Sequence, residues 1–422
     1  MAIAPRHLLT ALLALLVALF LTLAATQAAE QANAAPRTGL SVARKLAPQN
    51  RCAKRIPARS ARTMSLRQRR QLIRRRSRGC AATQSTSPGS PLYWGATIGD
   101  QITGEQAPWD MGAVSKFESM AGKGVSLVNF FAPFANCASK CSFYKFPTEP
   151  MESIRQHGSI PVYSWSSQSI PSSLNEPDFQ LSDVIAGNFD SYIREFAEDA
   201  KAWGHPFFLR FNWEMNGNWF PWSEGVNGNQ PGEFVAAWRH VHDIFTSVGA
   251  SNVTWVWCPN VDPDGVQHDL DSLYPGDEYV DWTGLDGYNW GLNPANPDRW
   301  RSFDELYEST YHRIVDAVAP DKPMLIGEMG STEAGGSKAD WIEEALTAIP
   351  TSYTQIHGLL WFDTYDDGMD WPIETSASSA NAFANAIQSP AYIAESAVET
   401  DEGPIEPPES PELTEALSEP LG

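Results

Sequence analysis

From residue 92 onward, short apolar runs alternate with longer amphipathic stretches, and polar loops separate the two. This rhythm predicts strands that are each followed by a helix. The predicted strands are Leu92–Ile98, Val125–Phe131, Ile160–Trp165, Pro206–Phe211, Val253–Cys258, Trp282–Gly287, Pro323–Gly327 and Gly358–Phe362. The most distinct predicted helices are Asn188–Trp203, Glu233–Val248, Phe303–Val318 and Lys338–Ala348.

Most of the predicted strands are continuous apolar runs, which is typical of parallel strands that are covered on both faces. Eight such units in just under 300 residues have the size of a closed (β/α)8 TIM barrel. We therefore predict an α/β fold of this class over 89–390. A doubly wound open sheet is the alternative architecture.

Both ends of the chain lie outside this pattern. Residues 1–29 combine a basic start, an apolar run over 8–25 and small residues at the end, which predicts a secretory signal peptide and hence a secreted protein. A retained membrane anchor is the alternative, because the apolar run approaches a spanning length. The basic linker or arm, 30–88, and the acidic, Pro-rich tail, 391–422, are too polar to form a core, and we expect both to be disordered.

The net charge of −21 is distributed very unevenly along the chain. Residues 31–90 carry 15 Lys or Arg and no acidic residue, whereas residues 91–422 carry 14 basic and 50 acidic side chains. The acidic body would repel phosphate backbones, so nucleic acid is not an expected partner, while a neutral sugar polymer would be indifferent to the charge. The basic arm favours contact with an anionic cell surface. We expect a monomer.

Two glutamates follow apolar strands. The fourth run leads into NWEMNGNWFPW and delivers Glu214, and the seventh, PMLIGEMG, delivers Glu328. Catalytic groups of this barrel class lie at the carboxyl ends of the strands. Two carboxyl groups about 5 to 5.5 Å apart there would suit retaining hydrolysis of a glycosidic bond, and about 6.5 to 9.5 Å would suit inversion. Two unrelated glutamates are the alternative.

Retaining chemistry needs one carboxyl protonated and the other ionised. The apolar neighbours Trp213 and Met215 favour the protonated form of Glu214. Arg210 and Tyr288 are candidates to stabilise the second carboxylate. Aromatic and amide side chains at strand ends suit a polysaccharide. The predicted substrate-binding residues are Trp165, Arg210, Asn212, Trp213, Trp219, Trp222, Asp286, Tyr288, Trp290 and Trp361.

These motifs, above all EMNGNWFPW, resemble glycoside hydrolase family 26, whose members include endo-β-mannanases, lichenases and β-1,3-xylanases. The resemblance covers about 90–388. It implies that Glu214 is the acid/base and Glu328 the nucleophile, that Tyr288 hydrogen-bonds the nucleophile, and that Trp361 forms the floor beneath the sugar. Asp286 would assist these residues without contacting the reacting bond itself. Mannanases of the family usually have His before the acid/base, where this chain has Trp213.

The five cysteines suit an oxidising exterior. We predict a disulfide between Cys137 and Cys141, with metal ligation as the alternative, and expect Cys258 to be a buried thiol. Whether Cys52 pairs with Cys80 stays open.

We therefore expect a secreted retaining endo-glycoside hydrolase, acting first on β-1,4-mannan, with no cofactor and no metal. The alternatives are the same mechanism on mixed-linkage β-glucan or β-1,3-xylan, and a non-catalytic glycan-binding barrel.

Overall fold

The computed structural model describes residues 90–265, 269–293, 299–366, 368–394 and 403–408. The chain divides into two compact units, Met1–Ser85 and Thr86–Gly422, and every described residue belongs to the second. The predicted signal peptide, the basic arm and the Cys52–Cys80 pair therefore lie outside the described residues. Within the described ranges, no helix combines the length and apolar character that a membrane span requires.

A closed ring of parallel strands forms the centre of the fold. The strands are β1 Leu92–Ile98, β2 Leu127–Asn136, β3 Ser142–Phe143, β4 Ile160–Ile170, β5 Phe207–Phe211, β6 Val253–Trp257, β7 Trp282–Asn289, β8 Met324–Ser331, β9 Ile356–Asp363 and β10 Tyr392–Ile393. β1 pairs with both β2 and β9, which closes the eight-stranded ring. The short β3 is antiparallel to β2, and β10 adds beside β1. The predicted (β/α)8 barrel is confirmed.

The helices form the outer layer. They are α1 Met111–Ala121, α2 Thr148–His157, α3 Leu181–Ile185, α4 Asp190–Trp203, α5 Glu233–Val248, α6 Leu270–Leu273, α7 Phe303–Arg313, α8 Lys338–Ser352 and α9 Ala377–Ala386. The predicted helix Phe303–Val318 is an α-helix only to Arg313 and ends in a π-helical turn over Ile314–Val318. Apolar side chains fill the space between strands and helices: Trp94 of β1, fully buried, packs against Phe117 and Phe383.

A short part of the predicted disordered tail lies against the amino-terminal end of the barrel. Ile405 is only 2% exposed, its backbone N–H donates to Thr254 Oγ1 at 2.7 Å, and its carbonyl accepts from Trp282 Nε1 at 2.7 Å. Tyr93 donates to the carbonyl of Glu406 at 3.2 Å. Residues 403–408 include three prolines, which lower the conformational entropy lost on docking. We refer to this segment, 403–408, as the basal strap.

Candidate active site

Glu214 and Glu328 meet at the carboxyl end of the barrel. Glu328 lies within β8, and Glu214 lies three residues beyond the end of β5. One carboxylate oxygen from each, together with one from Asp286 of β7, lie within 4.8 Å of one another. Glu214 is 6% and Glu328 5% exposed. One oxygen of each glutamate is thus close enough to the other for both carboxyl groups to reach the same glycosidic bond.

The backbone before Glu214 turns sharply into the barrel mouth. Asn212 (φ 47°) and Glu214 (φ 54°) are both in the left-handed region, which costs a non-glycine residue about 1–2 kcal/mol. Asn212 fixes the turn because its Oδ1 accepts from the Ser167 N–H at 2.8 Å, and the Glu214 N–H donates to the Cys258 carbonyl at 2.7 Å. The neighbouring strands thus hold a strained conformation that points the carboxyl group inward.

Glu214 sits in an environment that favours its protonated form. Burial raises its pKa to about 7, and the nearby charge of Glu328 adds to the rise. Asn260 Nδ2 donates to Oε1 at 2.7 Å and Trp219 Nε1 donates to Oε2 at 2.6 Å, and both donors oppose the shift. Glu214 is therefore still substantially protonated near neutral pH, as a general acid must be.

Glu328 has the opposite surroundings. Arg210 donates from Nη2 and Nη1 to its Oε1 at 3.1 and 3.2 Å, and the Tyr288 hydroxyl donates to its Oε2. Burial alone would lower the pKa of Arg210, but the charges of Asp286 and Glu328 raise it above the ordinary value, so the guanidinium stays cationic. These charge-assisted bonds stabilise a negative charge on Glu328.

The three carboxylates are also the one group of potential metal ligands found among the described residues. The guanidinium of Arg210 lies among them, bonded to Asp286 and Glu328. The guanidinium therefore already supplies the positive charge that a bound metal cation would bring to these carboxylates.

Four predicted substrate-binding residues reach the cleft. Trp219 is 40% exposed, Tyr288 and Trp290 are half-buried, and Trp213 retains 6% exposure. Trp213 packs against Phe131 with ring centroids 5.2 Å apart. The indole and phenol faces of Trp219, Tyr288 and Trp290 can stack on the C–H faces of pyranose rings.

The structure encloses six others completely: Trp165, Arg210, Asn212, Trp222, Asp286 and Trp361. Arg210, Asn212 and Asp286 act on the carboxylates and the turn instead of on a sugar. Trp165 follows Ser164, whose hydroxyl faces inward and accepts from Arg210. Because neighbouring side chains on a strand point to opposite faces, Trp165 points outward, where it stacks on Phe196 at 4.4 Å.

Trp361 and Trp222 are also buried away from the cleft. Trp361 contacts Trp341 of α8 and Phe383 of α9, so it belongs to the layer between strands and helices and cannot floor a sugar. Trp222 stacks on Phe220 with centroids 4.2 Å apart and donates to the Trp213 carbonyl. It supports the loop rather than the substrate.

Asn260 is a site residue that the sequence analysis did not select. It lies three residues beyond β6, and its backbone N–H and carbonyl bond the amide of Asn216 at 2.8 and 2.9 Å. This pairing joins two loops and aims the Asn260 amide at Glu214. Its position could have indicated a role, because Asn260 is the first polar side chain after β6, the fifth strand of the ring.

Large exposed hydrophobic side chains in the described part of the chain lie in segments that follow the carboxyl ends of the ring strands; one of these segments includes the short β3. They are Trp109, Phe143, Tyr144, Leu174, Trp219, Leu292 and Tyr365. A surface pocket of about 240 Å³ lies beside Trp219, with Gln168 and Leu174 in its lining. These side chains therefore lie toward the end of the barrel that carries the two glutamates.

Among the described residues, two cysteines form a disulfide and one is a free thiol. Cys137 and Cys141 form a disulfide in the connection between β2 and β3. Cys258 is a buried free thiol whose Sγ donates to Asp286 at 3.1 Å, and burial raises its pKa well above the ordinary value.

Known proteins similar to this chain share its sequence over different lengths. Endoglucanase H of Acetivibrio thermocellus is 35% identical over 303 residues, which are 71% of this chain and 30% of that protein. Mannan endo-1,4-beta-mannosidase A and B of Caldalkalibacillus mannanilyticus is 32% identical over 158 residues, 36% of this chain and 27% of that protein. The chain thus spans less than a third of the length of either relative.

Among solved structures, an endo-beta-1,4-mannanase double mutant of Cellulomonas fimi has a TM-score of 0.56 at 19% identity, covering 76% of each chain. That likeness establishes the fold. Residues 150–334, which contain both glutamates, match the sequence profile of Glycosyl hydrolase family 26. Together with the two relatives, the match confirms over these residues the resemblance to glycoside hydrolase family 26 that was predicted from the sequence.

Proposed function

We propose that the protein is a retaining endo-glycoside hydrolase that cleaves a β-linked polysaccharide. The observation that carries the proposal is the Glu214–Glu328 pair, whose carboxylate oxygens lie within 4.8 Å and whose surroundings differ. Glu214 is buried with a raised pKa, and Glu328 accepts from a guanidinium and a phenol. Carboxyl groups in such contrasting environments are suited to the acid and nucleophile roles.

In the first step, a Glu328 oxygen attacks the anomeric carbon while the Glu214 carboxyl gives its proton to the departing glycosidic oxygen. A covalent glycosyl-enzyme forms, and the leaving saccharide departs with that proton. In the second step, the Glu214 carboxylate takes a proton from water. The resulting hydroxyl group bonds to the anomeric carbon, and Glu328 leaves as the free carboxylate. Arg210 and Tyr288 stabilise its charge before attack and after release.

For the substrate, we propose a β-glucan ahead of the mannan that the sequence first indicated. Endoglucanase H is the relative that matches over most of this chain. In addition, Trp213 replaces the His usual in the family's mannanases. It is 6% exposed and packs on Phe131, and its indole cannot relay protons as an imidazole could. β-1,4-Mannan is the second candidate, because a mannan endo-1,4-beta-mannosidase is 32% identical over 158 residues.

Export through 1–29 and attachment of the basic arm, 30–88, to an anionic envelope remain part of the proposal. The basic start and apolar run of 1–29 support export, and the dense positive charge of the arm supports attachment. If attachment is electrostatic, salt should release the full-length protein from cells, since charge attraction is screened. Equal release at low and high salt would contradict this.

The deciding experiment measures reducing-sugar release by the full chain from lichenan, mannan, glucomannan, galactomannan, β-1,3-xylan and cellulose. Glu214→Ala and Glu328→Ala should each lower activity at least about 1,000-fold. The exposed glutamate Glu195, on α4 and paired with Lys145, supplies the control Glu195→Ala, which should retain activity. Glycan binding without turnover in the wild type would favour the non-catalytic barrel, and mannan as the best substrate would reverse our order of candidates.

A further inference from the structure

Lys338 is a fully buried cation beside the active-site wall. It is the first residue of α8, at the helix end where the macrodipole disfavours positive charge. Its Nζ donates to the consecutive carbonyls of Asp370, Trp371 and Pro372 at 2.5, 3.0 and 2.7 Å, and to Thr375 Oγ1 at 3.1 Å. Four oxygens around one ammonium resemble the coordination that a bound metal cation receives.

The charge of Lys338 is retained at neutral pH. Burial lowers its pKa to about 8, and the surrounding carboxylates oppose that shift. These are Asp370, Glu333, Asp363 and Glu374. A buried charge is costly unless it is paired and hydrogen-bonded. The four oxygens satisfy Lys338, and in return the ammonium fixes the path of the main chain between residues 370 and 375.

Other bonds tie the same segment to the barrel. The Trp361 indole N–H donates to the Trp371 carbonyl at 3.1 Å, and Thr332 donates to the Asp370 carboxylate at 2.5 Å. The Trp371 carbonyl therefore accepts from both Lys338 and Trp361. Two donors, one from α8 and one from β9, thus fix the main chain at Trp371 within a loop that is held at several points.

Trp371 in turn packs on the residue that contacts the proposed nucleophile. Its ring centroid lies 4.8 Å from that of Tyr288 and 5.0 Å from that of Trp290. A Cβ added to Gly330 would lie 3.1 Å from Tyr288 and 3.2 Å from Trp371, so the glycine gives both rings the room they occupy. The Tyr288 hydroxyl then donates to Glu328.

We propose that Lys338 is a positioning residue for catalysis: through the carbonyl of Trp371 it holds that indole against Tyr288, whose hydroxyl orients Glu328. This inference rests on the proposed function, because it assigns the arrangement to the nucleophile of that reaction. Trp371 is 2% exposed, so loosening it should alter turnover more than substrate binding.

The test compares Lys338→Met with Lys123→Met in the full-length protein. Lys123 also donates to two main-chain carbonyls, of Ile387 and Ser389, both at 3.0 Å, but outside the site. We expect Lys338→Met to lower kcat about 10- to 100-fold, the scale of a misplaced catalytic group. KM should stay within about twofold. Lys123→Met should lower only the Tm.

Trp371→Phe provides a second measurement that keeps all the bonds of Lys338, in case Lys338→Met does not fold. It should give the same loss of kcat with a smaller change in Tm. Unchanged kcat in whichever variant folds, or a loss of kcat matched by an equal rise in KM, would overturn the positioning role. An inactive wild type on every glycan would instead contradict the proposed function, so the two failures can be told apart.

Discussion

Replacing Trp219 with Phe should move the alkaline limb of the pH–activity profile to higher pH. Trp219 Nε1 donates to Glu214 Oε2 at 2.6 Å, and this bond lowers the pKa of the carboxyl group. Glu214 must be protonated to act as an acid, so kcat/KM falls as pH rises through its pKa, which is about 7. Phenylalanine keeps an aromatic face for sugar stacking but removes the donor.

The size of the shift follows from the two states of the acceptor. A hydrogen bond to a charged group contributes about 1.5–3 kcal/mol, and one to a neutral group about 0.5–1.5 kcal/mol. The ionised form of Glu214 thus loses about 1–1.5 kcal/mol more than the protonated form, and one pKa unit corresponds to about 1.4 kcal/mol. We expect the alkaline limb to rise by about 1 pH unit, which gives the variant more activity than the wild type, relative to its own maximum, at mildly alkaline pH.

The assay is kcat/KM against pH on the best substrate, beside Trp109→Phe. Trp109 is a similarly exposed indole, 47% accessible, on the connection after β1, where it contacts Phe130. Its substitution should leave the limb in place. A limb that stays fixed or moves to lower pH in Trp219→Phe would refute the assignment of Glu214 as the acid or the role of its indole donor.

Three further outcomes are expected. Gly327→Ala should reduce kcat more than 100-fold, because its Cβ would lie 2.6 Å from Asp286 Oδ1 and 2.7 Å from Arg210 Nε, too close for the pair that holds the nucleophile; near-normal kinetics would show that the pair can move. Deleting 395–422 removes buried Ile405 and should lower the Tm by about 2–5 °C in calorimetry with kcat unchanged; an equal Tm would mean the basal strap adds no stability. Treatment with a chelator should leave activity intact, since a guanidinium supplies the positive charge; loss restored by a divalent cation would contradict that.

Much of the fold was predictable because the apolar runs mark all eight strands of the ring. Two of the ring strands end later than predicted for the same reason. β4 continues past Trp165 to Ile170 and β8 past Gly327 to Ser331, where polar residues face the mouth and the apolar signal stops. The two glutamates could also be selected from the sequence, because a carboxyl group that closely follows an apolar run is unusual enough to stand out.

Which tryptophans face the cleft was not predictable. A strand that is apolar on both faces has no alternation to separate inward from outward side chains. Trp165 and Trp361 therefore looked like sugar platforms but lie against helices. Asn260 and Lys338 were missed because their partners, the Glu214 carboxyl and three main-chain carbonyls, are remote in sequence.

The basal strap also determines which end of the barrel is available for attachment. It docks where β1, β6 and β7 begin, and Ser90 lies at the same end, its N–H bonded to the Pro350 carbonyl in the last turn of α8 at 3.1 Å. Both termini of the described barrel thus leave from the pole opposite the glutamates. A tag or a fused module joined directly at residue 90 or 408 would therefore attach at the end of the barrel away from the cleft, so immobilisation there should preserve access for long polymers.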